Sequence, residues 1–299
     1  MNEMRTYQSL SGSRNFLSEI QNKSWKGEVH STFNRTINII CDSGELYTIA
    51  AEELDNAPNT LRVTDFFDKR PQVLVKMPVF SQNSQLMIGE TAAIEIQSAS
   101  EWHYPQIEFP KQYDYAKISK RIEQLNEWLI QLENTGGYLL NKRQATTYQK
   151  MIHVMLWQES EQLLTYLKEK QLFQAMKQLN RVIGLGPGLT PSGDDFLVGL
   201  ALIFTTVNYP YHSLRQWLIN SRTELKKRTN IISYSALDWA IKGSARERIG
   251  LFLNELFYGE NEGALKIKML AVLAIGSTSG GDILTGMLAG IKLTLESSR

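Results

Sequence analysis

Cysteine, histidine and any excess of charge are what this 299-residue chain is short of. Its one cysteine, Cys41, can close no internal disulfide, which fits a reducing, cytoplasmic compartment. The four histidines, His30, His103, His153 and His212, show no H-E-x-x-H or H-x-x-H spacing, so no zinc site is expected. Lysine and arginine number 32 against 31 acidic residues, and a net charge of +1 gives no basic surface for a nucleic-acid partner. The longest apolar run, residues 196–207, is too short for a membrane helix, which needs roughly 20 residues. The opening MNEMRTYQSL lacks the apolar core of a signal peptide. These absences predict a soluble protein with no membrane partner.

What is there divides into two regions. Residues 25–33, 36–41 and 46–49 are short runs rich in β-branched and aromatic side chains, broken by Asn34-Arg35 and by the hairpin-type turn Asp42-Ser43-Gly44. Residues 73–77 and 86–96 continue the pattern, with a brief helix expected at 64–67. Beyond Pro105 and Pro110 the period becomes helical: Ile118, Ile122, Leu125, Leu129 and Leu132 form one stripe, ended by Gly136-Gly137. Further helices are expected over 144–168, 171–182, 196–207, 213–227, 235–241, 247–258, 264–274 and 283–295. The reading is an α+β chain. A β-rich domain over 1–112, of five or more strands and partly closed, precedes an all-helical domain over 113–299.

The helical region carries the chemistry. Residues 183–200, IGLGPGLTPSGDDFLVGL, lead a glycine-rich turn into an apolar helix, and residues 275–287, IGSTSGGDILTGM, repeat the arrangement. Aligned on Ser192 and Ser279, five of eight positions are identical, including Gly193/Gly280, Asp195/Asp282 and Gly199/Gly286. A glycine turn before a helix offers N–H groups and a helix dipole to an anion. It is not the nicotinamide or flavin dinucleotide fingerprint, because the spacing is wrong and a helix precedes it. Nor is it a Walker loop, because the Gly-Lys-Ser/Thr ending is missing.

One reading of both motifs is a capping box, serine at the N-cap and an acid three positions on. Asp194 beside Asp195 exceeds what a cap needs. If the repeat brings the two helix starts together, Asp194, Asp195 and Asp282 become candidate catalytic residues and ligands for Mg²⁺, which often joins one or two carboxylates to phosphate oxygens. Backbone groups of Gly186, Gly188, Gly193 and Gly280 would then face a small anionic substrate, with Thr190, Ser192 and Ser279 hydrogen-bonding its oxygens. Thr229, Asn230 and Ser233, in RTNIIS, form a polar cluster that reads as a helix start or a further substrate contact. A non-catalytic scaffold whose glycine helices only pack, and a binder of a purine-derived acid, are the readings from other classes.

The segment 184–195, G-L-G-P-G-L-T-P-S-G-D-D, resembles the signature of the AllH-type proteins. The later 276–282, and Thr229–Ser233 with Gly243, resemble that family's subsequent motifs, and in the β region Trp102–Pro105 carries the resemblance. It implies a subunit of oxamate carbamoyltransferase in anaerobic allantoin and purine breakdown. The implied reaction interconverts oxalurate plus phosphate with oxamate plus carbamoyl phosphate, and the implied partners are AllG-type and FdrA-type subunits. One position departs: Ser277 stands where the family's G-H-[ST]-S-G-x-D carries histidine, and serine unaided is a poor general base.

Overall fold

The structure, a computed structural model, describes residues 4–21, 25–68, 71–132 and 136–297; the first three positions of the opening segment lie outside them. The chain divides into two compact units, Met1–Pro105 and Gln106–Arg299. The division falls after Pro105, and beyond it Ile107 and Phe109 exchange backbone hydrogen bonds with Val207 of the helical unit.

The first unit is a closed barrel. Strands β1 (Arg5–Ser13), β2 (Lys26–Thr32), β3 (Thr36–Cys41), β4 (Leu46–Ala51), β5 (Thr60–Val63), β6 (Pro78–Gln82), β7 (Gln85–Ile88) and β8 (Ala92–Glu95) run in the order β5-β4-β3-β2-β6-β7-β8-β1. Pairing of β1 with β5 closes the circle, and β9 (Ser100–Trp102) lies parallel to β1. Closure removes the unpaired edges that an open sheet of this size would expose. Val29, Ile37, Ile39, Ile49, Leu61, Leu86 and Ile94 fill the interior. The helix α1 (Arg14–Gln21) packs Phe16, Leu17 and Ile20 against the same core.

Two expectations for this region are corrected. Residues 73–77 form no strand: they turn at Lys76, whose φ of 69° breaks an extended run, although Lys76 N–H still donates to Val29 O at 2.7 Å. Residues 64–67 form a bend and turn, with Asp65 at φ 56°, and not a helix. The Asp42-Ser43-Gly44 turn is as expected, with Gly44 at φ 79° joining β3 to β4.

The second unit is helical: α2 (Tyr115–Gln131), α3 (Thr147–Lys168), α4 (Leu172–Val182), α5 (Ser192–Phe204), α6 (His212–Arg228), α7 (Ile231–Ile241), α8 (Glu247–Tyr258), α9 (Glu262–Leu273) and α10 (Ser279–Ser297). α3 starts with a full capping box, Thr146 and Gln149 bonding each other's backbone N–H. α5 is buried on every side, as a helix apolar all round must be. Its main partner is α10. A Cβ added to Gly199 would run into the Ile283 carbonyl, and one added to Gly286 into the Phe196 carbonyl. The two equivalent glycines therefore form a reciprocal crossing at which the backbones touch. Among the described residues no helix is long and apolar enough to cross a membrane.

Candidate functional site

The repeat seen in the sequence is a repeat in space. Each half is a helix, a glycine turn and a second helix: α4 to α5, and α9 to α10. Gly193 lies against the carbonyl of Val182, the last residue of α4, and Gly280 against the carbonyl of Val272 near the end of α9. Gly193 N–H donates to Leu185 O at 2.8 Å and Gly280 N–H to Ile275 O at 3.0 Å. Asp195 N–H donates to Pro191 O, and Asp282 N–H to Thr278 O. A side chain at either glycine would push the helix start off its predecessor, which is the physical reason that both halves carry glycine there.

The capping-box reading does not describe α5. Its N-cap is Pro191, with no side-chain cap, and Ser192 is already helical. The two motif serines instead reach across the repeat. The Ser192 hydroxyl favours the ionised form of the Asp282 carboxyl, and the Ser279 hydroxyl that of Asp195. Thr190 Oγ1 lies 3.0 Å from Ser279 Oγ, which ties the first turn to the second.

This exchange places two carboxyls in the interior. Asp195 is 3% exposed and Asp282 is 1% exposed. Burial pushes the Asp195 carboxyl up to about 8; the Asp282 charge adds to the rise, and the Ser279 and Thr190 hydroxyls oppose it. Burial pushes Asp282 up to about 7, opposed by Tyr138 N–H, Ser192 and Thr278. In each carboxyl one oxygen, Oδ2, is buried with no hydrogen-bond partner among the described residues. Such an orphan acceptor costs free energy unless something fills it.

Asp194 is a different kind of group. It is fully buried, and both of its oxygens are satisfied: Oδ1 accepts from Gly184 N–H at 2.5 Å, and Oδ2 from Thr229 Oγ1 and from Ser233 Oγ at 2.6 Å. Asn230 caps α7, its Oδ1 accepting from Ile232 and Ser233 N–H at 3.0 Å, while its Nδ2 donates to Leu189 O at 2.7 Å. Thr229, Asn230 and Ser233 thus hold the first turn in place through Asp194 and Leu189. Gly243 sits at the other end of α7, against Thr205.

Of the backbone donors expected to face an anion, those of Gly193 and Gly280 are committed to Leu185 and Ile275. Gly186 adopts φ 112°, and a Cβ there would come within 2.9 Å of Ser192 N, so it makes room for the helix start. Gly188, at φ 104°, lies on the exposed crest of the turn.

A third segment completes the site, and its role went unread in the sequence. Tyr138 N–H donates to Asp282 Oδ1 at 2.8 Å, and a side chain at Gly137, at φ 62°, would occupy the place of the Asp282 carboxyl. α3 grips this turn from behind through residues on one helix face. His153 Nδ1 lies 3.0 Å from Gly137 O, Trp157 Nε1 donates to Tyr138 O at 3.2 Å, and Ser160 hydrogen-bonds the Tyr138 hydroxyl. The Tyr138 ring stacks on Phe196 at 4.9 Å. Gly136-Gly137 was legible only as the end of α2; two adjacent glycines followed by an aromatic residue are the signal for close backbone approach.

The candidate magnesium ligands named from the sequence include Asp194, whose two oxygens are taken up by Gly184, Thr229 and Ser233. Among the described residues no three His, Cys, Asp or Glu side chains are placed to share a metal ion. Asp195 and Asp282 each retain one oxygen that could take a cation together with a substrate oxygen.

The model of the family described as oxamate carbamoyltransferase subunit AllH matches residues 182–291, which contain both turns and both aspartates of the pair. The model of the AllH family N-terminal domain matches residues 8–101, nearly all of the barrel. No solved structure matches the chain.

Proposed function

The chain belongs to the AllH family of oxamate carbamoyltransferase subunits, and from that membership we propose that Asp195 and Asp282 bind the carbamoyl group that is transferred. The reaction read here takes oxalurate and phosphate to oxamate and carbamoyl phosphate in purine or allantoin breakdown. AllG-type and FdrA-type subunits are the proposed partners, in the cytoplasm. The observation that carries the reading is the pair of orphan Oδ2 atoms in two buried carboxyls. Close packing of Gly199 and Gly286 would satisfy a scaffold, but a scaffold gains nothing from two buried acids that each leave an oxygen unpartnered.

The chemistry of the pair matches the group. With both carboxyls raised toward neutrality, the pair holds on to a proton at pH 7. The protonated acid donates, and the ionised one accepts. A carbamoyl group, H₂N–C(=O)–, offers an acceptor oxygen and a donor nitrogen side by side, so one carboxyl can bind each. Donation to the carbonyl oxygen stabilises charge that develops there when it is attacked. A phosphate oxygen forms the new bond to the ureido carbon, and the bond from that carbon to the oxamate nitrogen breaks. The proton given up by phosphate ends on that nitrogen, and the acid pair is placed to carry it. Mg²⁺ fits only through Asp195 and Asp282; when bound it would neutralise charge on a phosphate oxygen.

Calorimetric titration of carbamoyl phosphate and of oxalurate, into the chain alone and with candidate partner subunits, tests this. Asp195→Ala and Asp282→Ala should each weaken binding at least about tenfold, the loss of one charge-assisted hydrogen bond. If Mg²⁺ bridges the pair, adding it should tighten wild-type binding and partly rescue Asp195→Asn. Unchanged binding in both alanine variants, with the fold intact, would return the acids to a structural role.

A further inference from the structure

The helical unit encloses a cavity of about 1180 Å³ that the carboxyl pair does not line. α2, the turn after Gly137, α3, α5 and α10 wall it. Its floor is apolar, built from Leu129, Leu140, Trp157, Phe196, Leu288 and Leu293. Its exposed rim carries four cations, Lys142, Arg143, Lys168 and Lys292, against two acids, Glu161 and Glu296, and is net cationic. Lys142, Arg143 and Lys292 stand there without an ion pair among the described residues, whereas Lys168 pairs with Glu296 at 2.7 Å. Ligand cavities run to roughly 300–1,000 Å³, mostly apolar with a few placed polar groups. This one has that character and is somewhat larger than the range.

We propose that the cavity binds an amphipathic organic anion, with its apolar body on the leucine and tryptophan floor and its acid group at Arg143 and Lys292. Each half of the match follows from the lining. An apolar body gains about 25 cal/mol for each Å² it removes from water, and the floor offers no charge to repel it. A cationic ligand would be repelled at the rim, and a neutral one would leave the rim cations unused. A small, fully polar anion would strip water from the leucines and give nothing in return. The location adds a consequence. Tyr138, Trp157 and Ser160 line the cavity, and they are also residues that hold the turn bonded to Asp282. An occupant would therefore touch the side chains that aim that carboxyl.

The test uses octanoate and 1-octanol as probes, titrated into the full chain at low salt with no carbamoyl compound present, so that its result is independent of the reaction proposed above. Octanoate should bind one per chain and more tightly than octanol. The double variant Arg143→Gln/Lys292→Gln should weaken octanoate by about tenfold, one charge-assisted contact, and leave octanol unchanged. Ala289→Phe, at a half-buried wall position, fills the cavity and should abolish binding of both. Should that variant fail to fold, the double variant, at exposed positions, decides alone. Absence of octanoate binding at millimolar concentration, equal affinity for octanol, or indifference to all of these substitutions overturns the proposal.

Discussion

The two halves of the repeat share a backbone plan and differ in how each is held. In the first, Asp194 ties the turn to the α6–α7 junction through Gly184, Thr229 and Ser233. In the second, Gly281 occupies the matching position and the Leu139 side chain packs there, while Tyr138 N–H reaches Asp282. The shared features are the ones that build the carboxyl pair: glycine at each helix start, glycine at the crossing, and a serine lent to the opposite acid. The differing features are supports brought in from other helices. Adjacent aspartates in one motif therefore have unlike duties, Asp194 bracing the fold and Asp195 carrying an unfilled oxygen.

The largest effect should come from breaking what the halves have in common. Gly199→Ala and Gly286→Ala each drive a Cβ into a carbonyl of the opposite helix, backbone against backbone. An unobstructed helical glycine gains up to about 1 kcal/mol on changing to alanine; here each change should cost about 3 kcal/mol, with overpacking dominant. Urea denaturation should show the two losses within about 1 kcal/mol of each other. A tolerated alanine at one position only would mean that the crossing is not reciprocal.

Next in size is the contrast between neighbouring acids. Asp194→Asn turns an NH₂ donor toward donors and leaves at least one of them unpaired, so it should destabilise by roughly 2 kcal/mol at neutral pH. Asp195→Asn should do the reverse. The folded Asp195 carboxyl is raised from 3.8 to about 8, so the folded state holds a proton that the unfolded chain releases. Stability from such a group is complete below about pH 4 and is lost as pH rises through 8. The asparagine variant escapes that loss. It should match the wild type near pH 4 and be the more stable of the two above pH 8. Thermal unfolding followed from pH 4 to 9 reads the divergence. Equal curves would mean that Asp195 is ionised without penalty.

Much of this could be read before the fold was seen, and the gaps have physical causes. The repeat, its glycines and its aspartates were legible because a backbone crossing admits only glycine and so writes itself into the sequence at matching positions. β1 escaped notice because its inward face is polar: Ser9 and Ser11 are buried, Ser11 donating to Asn56 Oδ1 at 2.6 Å, so no apolar alternation marks it. Closure of the barrel depends on β1 meeting β5, a pairing between segments far apart that no local pattern records. The duties of Asp194 and Asp195 could not be told apart for the same reason, since Thr229 and Ser233 lie more than thirty residues away. The serines pointed to caps by local rule; tertiary contact sent them across the repeat.

A smaller effect should separate binding from folding. At Gly137 an alanine would meet the Asp282 carboxyl oxygens and also sit at φ 62°, a left-handed backbone that costs about 1 kcal/mol without glycine. The carboxyl can swing aside, so the fold should survive while carbamoyl phosphate binding falls at least about tenfold. Circular dichroism with calorimetry on one preparation distinguishes the two. Intact binding would remove the Gly137–Tyr138 turn from the site.

The finest test lies in the exchanged serines, where the halves are alike in plan and unequal in support. Ser279→Ala removes the hydroxyl that most favours ionised Asp195, leaving Thr190. Ser192→Ala removes a lesser influence from Asp282, which keeps the bond from Tyr138 N–H. Each hydroxyl favours the ionised form, so each loss should push its acid further up, Asp195 beyond about 8 and Asp282 beyond about 7. The shift should be larger for Asp195, by up to about one unit, equivalent to 1.36 kcal/mol. Carboxyl ¹³C shifts of labelled aspartate, followed against pH in the wild type and both variants, report each acid separately. A rise of Asp195 in Ser192→Ala, with Asp282 unmoved, would mean that each serine serves its own helix and that the exchange across the repeat is wrong.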